Sequence, residues 1–150
     1  MSVTTAAPDP GVRAFVYDTC RARGMPPSVS DTAKALNWSQ TDTRSAFQRL
    51  ADAHVLVLQP NGEILMANPF SAVPTAFPVQ AGPVQFYGNC IWDALGIPAM
   101  LNRDATISTS CACCGSQLAI DIIDGSLQSS VGLIHFAIPA HHWWDNIVFT

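Results

Sequence analysis

Phe86-Tyr87-Gly88-Asn89-Cys90-Ile91-Trp92-Asp93-Ala94-Leu95-Gly96-Ile97-Pro98 is the stretch on which the reading of this chain turns. Gly88-Asn89 is turn chemistry and Pro98 is a helix breaker, so about two helical turns are expected to begin near Cys90. The first turn of a helix leaves backbone N–H groups unpaired, and the helix dipole adds partial positive charge, which together favour a thiolate over a thiol. Asp93 follows three residues later, so its carboxyl group shares a helix face with the Cys90 sulfur. A soft nucleophile beside a proton carrier is a chemical unit. The same spacing also suits a plainer arrangement, with Cys90 as a small buried hydrophobe and Asp93 placed for the dipole.

Upstream of this stretch, residues 12–23 read as a helix with Val12, Phe15, Val16 and Cys20 near one face, ended by Gly24 and Pro26-Pro27. Ser30-Asp31 opens a short helix through Leu36. Ser39-Gln40-Thr41-Asp42 resembles a capping box and starts a third helix to about Ala53, apolar at Ala46, Phe47, Leu50 and Ala53. Residues 55–59, the turn Pro60-Asn61-Gly62 and residues 63–66 read as a β-hairpin. Three helices and a hairpin make a winged-helix outline over residues 1–67. Its third helix offers only Arg44, Gln48 and Arg49 to a phosphate backbone, too few contacts for strong binding, and DNA is not expected as a partner. Residues 68–83 are punctuated by Pro69, Pro74, Pro78 and Pro83 and read as an extended linker.

Downstream, residues 105–110, 117–124, 131–138 and 146–150 read as strands, with turns at Gly115-Ser116 and Asp124-Gly125. The fold class is therefore α+β: the winged-helix-like unit, the linker, then a small mixed or antiparallel sheet domain over residues 84–150 whose helix carries Cys90 and Asp93.

Composition limits the function classes. Apolar residues make up 49% and charged ones 12% of 150 residues, which excludes a disordered chain and fits one or two small domains. No apolar run approaches the ~18 residues of a membrane span, and Met1-Ser2-Val3-Thr4-Thr5 has no basic leader, so a soluble cytoplasmic protein with no membrane partner is expected. Five cysteines, an odd number with three of them clustered, suit a reducing compartment better than a disulfide framework. The net charge of −4 argues against general nucleic-acid binding.

Two further constellations carry chemistry. Cys111-Ala112-Cys113-Cys114-Gly115 lies between two expected strands and contains one Cys-x-x-Cys pair, half of a zinc knuckle. Cys90, or His135, His141 and His142, would have to complete it, so structural zinc is the weaker reading and no cofactor is required. His141-His142-Trp143-Trp144-Asp145 reads as a loop with an aromatic packing edge, since neighbouring histidines on a strand face opposite ways. Trp92, Trp143 and Trp144 could wall an apolar pocket for an organic group.

The run Tyr87 to Leu95, followed by Ile97-Pro98-Ala99-Met100-Leu101, resembles the signature of the alkylmercury lyase (organomercurial lyase) family. Asn68-Pro69-Phe70-Ser71-Ala72-Val73-Pro74-Thr75 resembles the family's approach to its catalytic domain. The resemblance implies that Cys90 takes the mercury of an organomercurial substrate and that Asp93 carries the proton. Mercury would be substrate and product, with low-molecular-weight thiols removing the ion. It also implies a structural role for Cys111, beside which Cys113 and Cys114 are additions. The family's second catalytic cysteine would fall in a strand matching Trp143-Trp144-Asp145-Asn146-Ile147-Val148-Phe149, where this chain has none. Mercury ligands would then come from Cys90, Cys111, Cys113 and Cys114. Competing readings are a lyase-fold enzyme acting on a non-mercury small molecule and a non-catalytic thiol metal-binding or regulatory protein.

Overall fold

The computed structural model describes residues 9–128 and 132–148. Three helices come first: α1 (Pro10–Arg23), α2 (Val29–Leu36) and α3 (Gln40–Asp52). Each starts where local chemistry places it. Pro10 occupies the first turn of α1, where its missing N–H costs nothing. Ser28 and Ser39 cap α2 and α3 by accepting from the Asp31 and Asp42 amides, each at 3.0 Å. Gly24 ends α1 in the left-handed region at φ 84°, donating its N–H to the Cys20 carbonyl at 2.8 Å. A β-carbon at Gly24 would fall 2.1 Å from the Gln85 carbonyl oxygen, so this end of α1 lies directly against a strand of the second sheet.

Strands β1 (Leu56–Leu58), β2 (Ile64–Ala67) and β3 (Phe70–Ser71) form an antiparallel sheet in that order. The Pro-punctuated stretch then supplies structure as well as connection: β4 (Pro78–Ala81) and β5 (Val84–Tyr87) pair as a hairpin. After β5 the chain enters α4 (Ile91–Leu101), followed by β6 (Ala105–Ser110), β7 (Gln117–Ile123) and the two-residue β8 (Ser126–Leu127). The second sheet has the order β5-β4-β6-β7-β8 and every pairing in it is antiparallel. The fold is α+β.

One buried cluster spans the described chain. Val12, Val16 and Cys20 of α1 join Phe47 and Leu50 of α3, Val79 of β4, Ala94 and Ile97 of α4, and Ile107 of β6. Phe70 sits at the seam, its ring 6.4 Å from Tyr17 and 5.6 Å from Phe86, with a backbone bridge to Gly88 joining the two sheets. No helix among the described residues is long and apolar enough to cross a membrane.

The structure departs from the expected elements in four places. The helix expected to open at Ser30-Asp31 is capped two residues earlier by Ser28, so Ser30 lies inside α2. Pro98 does not stop α4: it lies inside the helix with its side chain buried, and α4 continues to Leu101 before Asn102 turns left-handed at φ 50°. Burial of Pro98 and Leu101 against the sheet offsets the hydrogen bond that proline removes. No strand forms over residues 132–138, where Leu133 is 99% exposed; Val131 lies outside the described residues. A strand needs a partner along its length, and β8 offers only two residues at that edge. Residues 146–148 are likewise not a strand, and residues 149–150 lie outside the described residues. Ala140–Asp145 instead forms a 3₁₀ helix that begins after Pro139.

Candidate active site

The turn from β5 into α4 is built around a close approach. A β-carbon on Gly88 would sit 2.6 Å from the Ala94 nitrogen and 2.9 Å from its α-carbon, so only glycine lets the strand end lie against the first helical turn. Gly88 is pinned at both ends: its N–H donates to the Phe77 carbonyl at 3.0 Å, and its carbonyl accepts from Thr75 Oγ1 at 2.6 Å. Cys90 follows in extended conformation (φ −145°, ψ −179°) as the N-cap, and its carbonyl accepts the first helical bond from Ala94 at 2.9 Å. Cys90 and Asp93 therefore stand at the first turn of α4, both half-buried.

Asp93 is held by a residue that sequence reasoning treated only as turn chemistry. Asn89 Nδ2 donates to Asp93 Oδ2 at 2.8 Å and also lies 3.2 Å from Asn68 Oδ1. Asn68 is in turn fixed from α1, because its carbonyl accepts from the Tyr17 hydroxyl at 3.0 Å. Asn89 Oδ1 is buried and has no hydrogen-bond partner among the described residues. A buried polar atom left unpaired is uncommon, and this one belongs to the side chain that holds Asp93. The local signal for Asn89 was its place directly before Cys90; nothing in one dimension joins it to Asn68 twenty-one residues earlier.

Burial raises the Asp93 carboxyl above its ordinary value, while the Asn89 hydrogen bond and amide pull the other way. Such a carboxyl group holds a proton more readily than one in water. Burial also raises the Cys90 thiol; the Asp93 and Trp92 amides oppose this and the Asp93 charge adds to it. The helix start was expected to favour the thiolate. That contribution is present, but a helix terminus contributes at most ~2 kcal/mol, and desolvation beside a carboxylate outweighs it.

Trp92, between Cys90 and Asp93 in sequence, is one wall of a cleft of about 480 Å³ whose other walls include Phe136, Ile138, Pro139 and Trp143. Phe136 meets Trp92 edge-on at 6.4 Å and Trp143 at 5.1 Å, and Trp143 Nε1 donates to the Ile138 carbonyl at 2.9 Å. Phe136 belongs to the stretch expected to be a strand, which hid its role as the wall between two tryptophans. Trp144 stands apart from the cleft and stacks on His54 at 4.1 Å with planes 7° apart. His141 and His142 follow one another on the 3₁₀ helix rather than on a strand, with His142 Nδ1 2.8 Å from Asp145 Oδ2. A second cleft of about 520 Å³, lined by Arg13, Tyr17, Arg21 and Met100 between α1 and α4, meets the Asn89 network at Tyr17 and Asn68.

Cys111, Cys113 and Cys114 lie on the turn between β6 and β7; Cys111 is half-buried and the other two are exposed. No group of three or more His, Cys, Asp or Glu side chains converges to hold an ion among the described residues. Cys90, Cys111, Cys113 and Cys114 are thus not gathered around one centre. Cys20 is buried in α1, where desolvation pushes its thiol up to about 12 and leaves it to packing.

A cysteine at the N-cap of a helix and a half-buried carboxyl group three residues on are set on an α+β scaffold. Residues 70–150 match the family described as MerB, alkylmercury lyase, and the chain belongs to that family. A solved structure titled "Crystal structure of the mercury-bound form of MerB2" has the same fold, with a TM-score of 0.63 at 18% identity. The match covers 80% of this chain and 59% of that one, so this chain spans well under two thirds of that structure's length. No curated protein sequence matches this chain.

Proposed function

We propose that this protein cleaves the carbon–mercury bond of small organomercurials, with Cys90 holding mercury and Asp93 moving the proton. The observation that carries the proposal is the Asn89–Asp93 hydrogen bond at 2.8 Å, which fixes a half-buried carboxyl group on the same first helical turn as Cys90. Thiolates are the donors that soft metals prefer. As the sulfur–mercury bond forms, the anion or thiolate already on mercury departs, and the Cys90 thiol loses its proton to the Asp93 carboxylate. Asp93 then delivers that proton to the mercury-bound carbon as general acid, the carbon–mercury bond breaks, and the hydrocarbon leaves with mercury still on sulfur. Oxidation states do not change. The cleft between Trp92 and Trp143 suits an apolar organic group.

A single thiolate leaves the carbon–mercury bond little weakened, so a second sulfur donor is needed to make that carbon basic. Incoming low-molecular-weight thiols, or the cysteines after β6, would supply it. The test is turnover of an arylmercury compound with excess thiol, followed by release of the arene. Measured in a chain whose Cys111, Cys113 and Cys114 are replaced by Ser, Cys90→Ser should abolish binding of the organomercurial; in the full chain, Asp93→Ala should still bind it at Cys90 and release no arene. Unchanged binding by Cys90→Ser in that substituted chain would overturn the assignment.

A further inference from the structure

The turn between β6 and β7 is closed by two backbone hydrogen bonds, Cys111 N–H to the Ser116 carbonyl at 2.8 Å and Gly115 N–H to the Cys111 carbonyl at 2.7 Å. This tight loop sets Cys111 and Cys114, three residues apart, on a single turn, the spacing of a Cys-x-x-Cys pair. Cys114 Sγ also lies 3.1 Å from Ser116 Oγ. All of these thiols are free, and Cys114 is exposed. Two sulfurs in one turn fall short of the four donors a structural zinc requires, but a soft d¹⁰ ion is satisfied by two thiolates in line.

The sheet brings this turn toward Cys90. β4 runs antiparallel to both neighbours, with Pro78 opposite Tyr87 of β5 and Val79 opposite Ile107 of β6. β5 and β6 therefore run the same way and leave the sheet at the same end. The strand leading into Cys90 and the strand leading into Cys111 lie two strand spacings apart, or roughly 10 Å, within the sheet.

We propose that Cys111 and Cys114 form a second, two-thiolate mercury site at the hairpin tip, which takes up the mercuric ion released from Cys90 after cleavage. The source of the ion rests on the organomercurial reading; the site itself does not. Transfer is ligand exchange in two steps: a low-molecular-weight thiolate replaces Cys90 on the ion and carries it to the turn, where Cys114 and then Cys111 displace that carrier. The two incoming thiols give their protons to solvent, the departing Cys90 thiolate takes one up, and nothing is oxidised or reduced. Cys113, exposed on the same turn, is not a ligand.

Mercuric chloride added to the full chain carrying Cys90→Ser, near neutral pH, tests the site without any organomercurial. Mercury–thiolate absorbance and native mass should show one equivalent retained against about 0.1 mM of a monothiol, since a tethered second thiol acts at an effective concentration on the order of millimolar. Adding Cys111→Ser or Cys114→Ser should cut retention about tenfold, and adding Cys113→Ser should leave it unchanged. Failure of Cys90→Ser to retain the ion, or equal retention with Cys114→Ser, would overturn the proposal. Retention at the tip alongside a wild-type chain that turns over no arylmercury would sink the lyase reading and leave this site standing.

Discussion

The Cys90 and Cys114 thiols sit in opposite environments, and their reactivities should separate accordingly. Burial and the Asp93 charge raise Cys90, whereas hydrogen bonds from Ser116 and Cys111 lower Cys114 at the surface. Thiol reactivity follows the thiolate fraction, so competitive alkylation read by mass spectrometry should label Cys114 first, Cys90 more slowly and Cys20 last. Labelling of Cys90 ahead of Cys114 would show that the helix start outweighs burial. Asp93 yields a second prediction. Its folded value is raised above the ordinary 3.8, so the cost of ionising it in place is absent in acid and grows as pH rises through the raised value. Asp93→Asn should therefore stabilise the fold at pH 7, by ~1 kcal/mol or less given solvent screening, and the gain should vanish below about pH 4. Removing the Asn89 donor raises Asp93 further. Asn89→Ala should move the Asp93-dependent limb of any pH–rate profile to higher pH while organomercurial binding at Cys90 persists.

At the scale of elements, the entry to α4 depends on Gly88. Alanine there would press into the Ala94 backbone, which cannot swing aside as a side-chain tip can. Gly88→Ala should cost about 1–3 kcal/mol, a drop of several degrees in Tm by thermal melting, and should slow Cys90 chemistry by moving the strand end off the helix. The 3₁₀ helix offers a cleaner contrast. Trp143 lines the cleft that Trp92 walls, and Trp144 faces His54 instead. Trp143→Ala should raise KM for an arylmercury substrate, while Trp144→Ala should leave KM near the wild-type value. Equal effects from both would remove the cleft from substrate binding.

Across the whole molecule, the helices before β1 and the five-stranded sheet share one buried cluster. Gly24 against Gln85, Tyr17 against Asn68 and Phe70 against Phe86 are the joints. Contacts of this kind couple the two halves thermodynamically. Urea unfolding should be a single transition, with far-UV circular dichroism and tryptophan fluorescence coincident, and two separated transitions would show that the halves are independent units. The site inherits this coupling, because α1 reaches Asp93 through Tyr17, Asn68 and Asn89.

What the sequence determined by itself is what local chemistry controls. The Ser39 cap, Gly24, the turn Pro60-Asn61-Gly62 and the placement of Cys90 and Asp93 on the first turn of one helix follow from neighbours within four residues. The family signature lies in the same short stretch. Tertiary structure decided everything that depends on a distant partner. Pro98 stays in α4 because its side chain is buried against the core; residues 132–138 form no strand because little edge is offered to them. Cys90 is less acidic than a helix start alone would make it because burial is a property of the whole fold. Asn89 acquires its role only when Asn68 arrives beside it, a contact that neither period nor propensity encodes.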